Sequence, residues 1–204
     1  SELWTDAALA AMLTHNDRAS TSACVAWVGM LWDLLGMTQP PVPEWWVERY
    51  VALARPLEGD VTVYAPRYAV TRYASYRGPL WRFVAQEVKD AYRRQLPVLD
   101  VCNGWCSGAY LLETLPCVLY ILMHHAHDPE EAIVRAVIDT KDCDTIASLV
   151  GAAVGTLHGT DALPARWRTD LVGRTTADDG RIFALLDAAR ARWWDGTLTN
   201  SLST

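Results

Sequence analysis

Asp139-Thr-Lys141-Asp142-Cys143-Asp144-Thr145 runs directly into Ile146-Ala-Ser-Leu-Val-Gly151-Ala-Ala-Val-Gly155-Thr-Leu-His158-Gly159. Acids and hydroxyls open a segment that is otherwise small and apolar. Its apolar positions recur at helical spacing, which predicts a helix over 144–158. Around a helix N-terminus the side chains of Asp142, Asp144 and Thr145 converge, and anionic oxygens there complement the positive end of the helix dipole. Two readings stand. Hard oxygen donors so placed suit Mg²⁺. Asp and Thr are also ordinary N-caps that need no metal. Gly151, Gly155 and Gly159 follow at four-residue intervals. Each interior glycine costs a helix roughly 1 kcal/mol against alanine, so their spacing predicts close packing of another backbone on this helix.

Outward from this stretch the pattern stays helical. Pro129 after Asp128 reads as an N1 proline behind an N-cap, starting a helix that reaches about Ile138. Further helices are predicted over 107–124, 80–94, 45–53 and 21–36, with the end of another over 7–14. Gly36 suits a C′ position, and Thr14-His15-Asn16-Asp17 suits a turn or cap. A short helix is expected from Leu163, a last one over 181–194, a turn over 173–180 and a polar tail from Gly196. Only Val61-Thr-Val-Tyr64 invites a strand, inside an irregular excursion between Pro56 and Pro79; long loops of this kind often carry function. The expected class is all-α, a compact orthogonal helical array forming one domain over 1–204.

Composition narrows the functional classes. Of 204 residues, 51% are hydrophobic, enough for a sizeable core. The net charge of -6, with basic residues scattered, argues against a nucleic-acid backbone as partner. The apolar run over 111–123 is short and interrupted by Glu113 and Pro116, so no membrane span is expected. Cys24, Cys102, Cys106, Cys117 and Cys143 are odd in number and lack compact spacing. They read as buried or semi-buried free thiols in a reducing cytoplasm. No leader opens the chain at Ser1-Glu-Leu-Trp-Thr-Asp6.

Three ordered stretches carry a resemblance. They are Leu13-Thr14-His15-Asn16-Asp17, then Ser107-Gly108-Ala-Tyr110-Leu-Leu-Glu113-Thr114, then Asp142-Cys-Asp144-Thr145 with its glycine-spaced helix, Leu163-Pro164 and Trp167. Together they resemble the ADP-ribosylglycohydrolase family, which includes the enzyme that reactivates ADP-ribosylated dinitrogenase reductase. The resemblance implies an all-α fold and a dinuclear Mg²⁺ site, sometimes Mn²⁺. It implies Asp142, Asp144 and Thr145 as ligands of one side, with the two aspartates acting through metal and water. It implies substrate contacts from His15, Ser107, Gly108 and Tyr110. The activity implied is removal of ADP-ribose from a modified protein side chain or related acceptor, by hydrolysis at ribose C1.

The resemblance has departures. Ile138, Lys141 and Cys143 stand where the family usually places small or amide residues. The N-terminal Thr-Asp-Asp-like stretch that supplies the family's other ligands has no equivalent here; Thr5-Asp6 lacks a second Asp, and Asp178-Asp179 comes too late. The chain thus resembles the C-terminal two-thirds of a member, and its own N-terminal fragment, as a separate chain, is one expected partner beside ADP-ribose or an ADP-ribosylated protein. The alternative is a degenerate, non-enzymatic module that binds ADP-ribose or a protein. Residue by residue, bland readings compete. His15 also suits a cap, Tyr110 a core aromatic, and Ser107-Gly108 a helix-start turn. Glu113 in an apolar helix needs a partner and reads as a structural anchor. His124, His125 and His127 read as an exposed connector rather than a zinc site.

Overall fold

The computed structural model describes residues 2–67, 73–169 and 179–193. Among them every regular element is helical, and the fold is all-α. The chain divides into two compact units, Ser1–Leu163 and Pro164–Thr204. The first holds α1 (Glu2–Met12), α2 (Arg18–Leu35), α3 (Pro43–Glu58), α4 (Leu80–Phe83), α5 (Lys89–Arg93), α6 (Val98–Gly104), α7 (Leu111–His125), α8 (Pro129–Ile138) and α9 (Cys143–His158). A π-helical turn, Val84–Val88, joins α4 to α5. The second holds α10 (Ala165–Thr169) and α11 (Asp179–Trp193). Every candidate site residue lies in the first.

Helix α7 is the axis of the first unit. Twelve consecutive residues, Leu112 to Met123, are buried. A helix that is apolar all round can only be covered on every side, and α3, α4, α6, α8 and α9 pack around it. Helix α2 closes the core by packing against α1, α3 and α9. The caps follow the residues: Asp17 accepts from Ser20 N at 2.9 Å to start α2, and Asp128 from Glu131 N at 3.1 Å to start α8.

One buried acid organises the irregular excursion. Glu58, the last residue of α3, is fully buried. Its Oε1 accepts from Leu80 N at 2.7 Å and its Oε2 from Trp81 N at 3.0 Å. These are otherwise orphan donors at the positive end of α4. The Trp81 indole donates to Gly59 O at 2.8 Å, and the Thr62 hydroxyl donates to Glu58. The excursion is therefore closed at its base. Farther out, Tyr64 and Gly78 exchange backbone hydrogen bonds of 2.7 and 3.2 Å. This isolated bridge is all that comes of the expected strand over 61–64.

Several expectations are corrected. Helix α3 starts at Pro43 and runs through Pro56 to Glu58. Gly36 ends α2 at φ -88, so its left-handed freedom goes unused. Helix α7 begins at Leu111, and Ser107 to Tyr110 form a turn before it. Helix α6, flanked by Pro97, was not expected at all. Among the described residues no backbone packs closely on Gly151 or Gly155: a Cβ on Gly151 would meet only Ile133, at 3.8 Å, and one on Gly155 nothing within 4 Å. Cys24 is exposed, whereas Cys102, Cys106 and Cys117 are buried. His124 is no exposed connector; its ring sits 4.9 Å from that of Tyr92 and 4.7 Å from that of Tyr120. Most of the turn expected over 173–180, Trp194 and the tail from Gly196 lie outside the described residues. Among the described residues, no helix is long and apolar enough to cross a membrane.

Two predictions follow from buried polar groups. Glu58→Ala strands two buried N–H donors and is expected to cost about 3 kcal/mol, read from denaturant unfolding. His124 Nε2 is buried with no partner among the described residues. Burial first, then His125, pushes its pKa below 6.5. The unfolded chain therefore takes up this proton before the folded one does. The stabilising effect is full above 6.5 and is lost as pH falls toward the folded value. The urea midpoint should drop between about pH 7.5 and pH 5.5, and drop less in His124→Phe.

Candidate active site

The two readings of these acids meet at the start of α9. Asp142 is the N-cap residue, but its side chain makes no capping hydrogen bond. The first-turn donor it would take is already used: Thr145 N donates to Asp144 Oδ1 at 2.8 Å. Asp142 Oδ1 instead accepts from the Thr145 hydroxyl at 3.1 Å. Its Oδ2 is buried and has no partner among the described residues. Burial, then the neighbouring Asp144, pushes the Asp142 carboxyl above the ordinary value of 3.8; the Thr145 N–H, then Asp142, holds Asp144 below it.

Ser107 fixes this group against the turn before α7. The residue is fully buried. Its carbonyl accepts from Asp142 N at 2.9 Å and its hydroxyl from Lys141 N at 3.2 Å. It reaches that position through two successive left-handed residues, Cys106 at φ 70 and Ser107 at φ 39. Such backbone is costly for non-glycine residues and persists where surrounding bonds enforce it. The Thr114 hydroxyl donates to Gly108 O at 2.7 Å, pinning the turn to α7.

A second cluster adjoins the same turn. Glu113, 3% exposed, takes a two-pronged ion pair from Arg67, Nε to Oε1 at 2.9 Å and Nη2 to Oε2 at 2.7 Å. The Arg67 guanidinium lies 5.0 Å from the centre of the Tyr110 ring. Tyr110 stacks on Tyr64 with centroids 5.3 Å apart and planes 15° from parallel. The Tyr64 hydroxyl donates to Asp17 Oδ1 at 3.3 Å. Burial raises the Tyr110 phenol, offset by a backbone hydrogen bond from Ala65 and by the Arg67 charge. His15, two residues before Asp17, is exposed, with Nδ1 3.0 Å from the Thr14 hydroxyl oxygen.

The structure thus joins Ser107 to the Asp142–Thr145 group, and Gly108 and Tyr110 to the His15–Asp17 turn by way of residues 64–67. The profile of the ADP-ribosylglycohydrolases matches residues 1–195. The chain belongs to the ADP-ribosylglycohydrolase family. No curated protein and no solved structure matches it. The family match begins upstream of His15 and so takes in α1.

Membership gives the two clusters a hydrolase context. Asp142, Asp144 and Thr145 offer hard oxygen donors of the kind Mg²⁺ binds, and the unpartnered Asp142 Oδ2 fits one side of a cation site. Among the described residues, no group of three or more His, Cys, Asp or Glu is placed to hold a metal. Sequence reasoning missed Arg67 and Tyr64. The available signal was Glu113 itself: a carboxylate in an apolar helix needs a partner, and the excursion from Pro56 to Pro79 is rich in arginine.

Gly108 can be tested directly. A Cβ there would stand 2.5 Å from Glu113 Oε2 and 3.3 Å from Arg67 Nη2. Because the ion pair holds that carboxylate, it cannot swing aside cheaply. Gly108→Ala is expected to cost about 1–3 kcal/mol in unfolding free energy, whereas Gly155→Ala, with open space around it, should be neutral or stabilising by up to about 1 kcal/mol.

Proposed function

We propose that this member of the family is a Mg²⁺-dependent hydrolase, Mn²⁺ serving as substitute, that releases ADP-ribose from modified protein side chains or related acceptors. The observation that carries the reading is Asp142: an N-cap aspartate that does not cap, with one buried oxygen left over beside Asp144. Asp142, Asp144 and Thr145 would hold the metal. When bound, a divalent pair would supply coordination to the ribose hydroxyls and activation of a water. Asp142 and Asp144 would orient that water and bear negative charge near the anomeric carbon, where positive charge develops as the glycosidic bond breaks. Ser107 and Gly108 would bring backbone to the substrate, Tyr110 would flank it, and His15 would hydrogen-bond it from its exposed turn. The remaining oxygen ligands would come from an N-terminal segment not in this chain, acting as part of a longer polypeptide or as a separate fragment. The free cysteines fit a reducing, cytoplasmic setting.

One observation favours a second reading. Two carboxylates and a hydroxyl are few donors for Mg²⁺, which prefers six oxygens, and Lys141 is exposed beside them. A member that binds ADP-ribose or a protein without turnover is the alternative.

Calorimetry with ADP-ribose, with and without Mg²⁺, and an assay of ADP-ribose release decide between them. Both are done on the chain alone and with any segment encoded upstream supplied. The hydrolase reading expects Mg²⁺-dependent release, reduced at least about a hundredfold in Asp144→Asn. Binding without metal dependence and without release establishes the module instead. Neither binding nor release overturns both.

A further inference from the structure

Glu113 is too enclosed to act on a substrate. It is 3% exposed, and the cavity it lines with Arg67, Leu112, Trp105 and Cys106 has a volume of about 10 Å³, room for one water at most. Yet the site is arranged around it. A carboxylate buried in an apolar helix needs a partner. The cation that answers is 46 residues away in sequence, on the excursion closed by Glu58. Arginine's planar fork fixes direction as well as distance. Held on Glu113, Arg67 sets its guanidinium against the Tyr110 ring, and the Glu113 carboxylate defines the surface on which Gly108 rests. Tyr110 in turn supports Tyr64, and Tyr64 reaches Asp17.

We propose that the Arg67–Glu113 pair is a positioning device that locks the turn at 106–110 and the turn at 14–17 into one preformed substrate-binding wall. This deepens the reading given above and rests on it for the identity of the ligand. Arg67 and Glu113 are positioning residues; neither is assigned contact with a reacting atom. The pair acts by removing the freedom of two turns before the ligand arrives, so that ordering is not charged against binding.

Removing Arg67 alone would leave the buried Glu113 carboxylate unpaired and unsettle the fold, so the deciding variant removes both charges. Arg67→Met/Glu113→Leu replaces the pair with apolar side chains, an exchange that is often close to neutral in global stability. Arg67→Lys keeps the charge but loses the fork. Amide hydrogen exchange of wild type and both variants is followed in peptides covering 14–17 and 106–110, beside ADP-ribose affinity and denaturant unfolding. The expected result is exchange faster by about tenfold in both turns and affinity weaker by about tenfold, with protection in α7 to α9 and the unfolding midpoint little changed. In the release assay the loss should fall on KM rather than kcat, as for uniform binding. Unchanged exchange in both turns, or change confined to 106–110, overturns the proposal, because coupling of the two turns is the claim. Failure of wild type to bind ADP-ribose would sink the functional reading, while the exchange measurements still decide whether the pair locks the wall.

Discussion

Ser107 is the constraint on which the arrangement of the site depends. Its carbonyl and hydroxyl receive the amide hydrogens of Asp142 and Lys141. A helix N-terminus has donors to satisfy, and an aspartate at the N-cap normally spends its side chain on them. Here the Asp142 amide is answered by Ser107 and the Thr145 amide by Asp144. Because Asp144 takes the Thr145 amide, the Asp142 carboxylate makes no capping bond, and one of its oxygens stays unpartnered among the described residues. Two left-handed residues, each costing on the order of 1–3 kcal/mol, bring Ser107 to that position. The strained turn thus anchors the backbone at Lys141 and Asp142, which fixes where the acids at the start of α9 stand.

The other wall is built on acids that are fully answered. Glu58 accepts two amide hydrogens at the start of α4 and closes the base of the excursion. That closure delivers Tyr64 and Arg67 to the turn before α7, where Glu113 takes Arg67 in a two-pronged pair. Asp17 caps α2 through Ser20 and also receives Tyr64. The order of dependence runs from a buried structural carboxylate, through a loop of otherwise weak regularity, to the aromatic and cationic groups beside Gly108. A loop with little periodicity of its own can hold a precise geometry only if its ends and its middle are tied in this way.

What was legible in the sequence follows the range of the forces involved. Caps and periodic faces are local, so the helix behind Asp128 and Pro129 and the helix that opens near Asp144 were readable from residues a few places apart. The need of Glu113 for a partner was readable too, because burial in an apolar run implies it. Which cation answers was not, since Arg67 lies 46 residues away with no repeating pattern between. The same holds for Tyr64 and Asp17, 47 apart. The glycines of α9 misled for a different reason. Their spacing is compatible with close backbone approach but does not compel it, and space remains around Gly155. Helix α6 was missed because seven residues are too few to show a helical period.

Charge balance then singles out one position. Glu113 has Arg67, Glu58 has two amides and Asp17 has Ser20 and Tyr64. Asp142 has a single hydroxyl on one oxygen, and a second carboxylate beside it that raises its affinity for a proton. On the proposed reading a proton and a metal cation would compete for that position. Mg²⁺ sheds its water reluctantly and prefers six oxygens in near-octahedral array. On the proposed reading, three donors from one helix start would hold it weakly, and further oxygens, from protein or from the ribose hydroxyls of a bound ligand, would have to supply the rest. If the ligand supplies them, metal and ADP-ribose each improve the site for the other, and linkage requires the two effects to be equal.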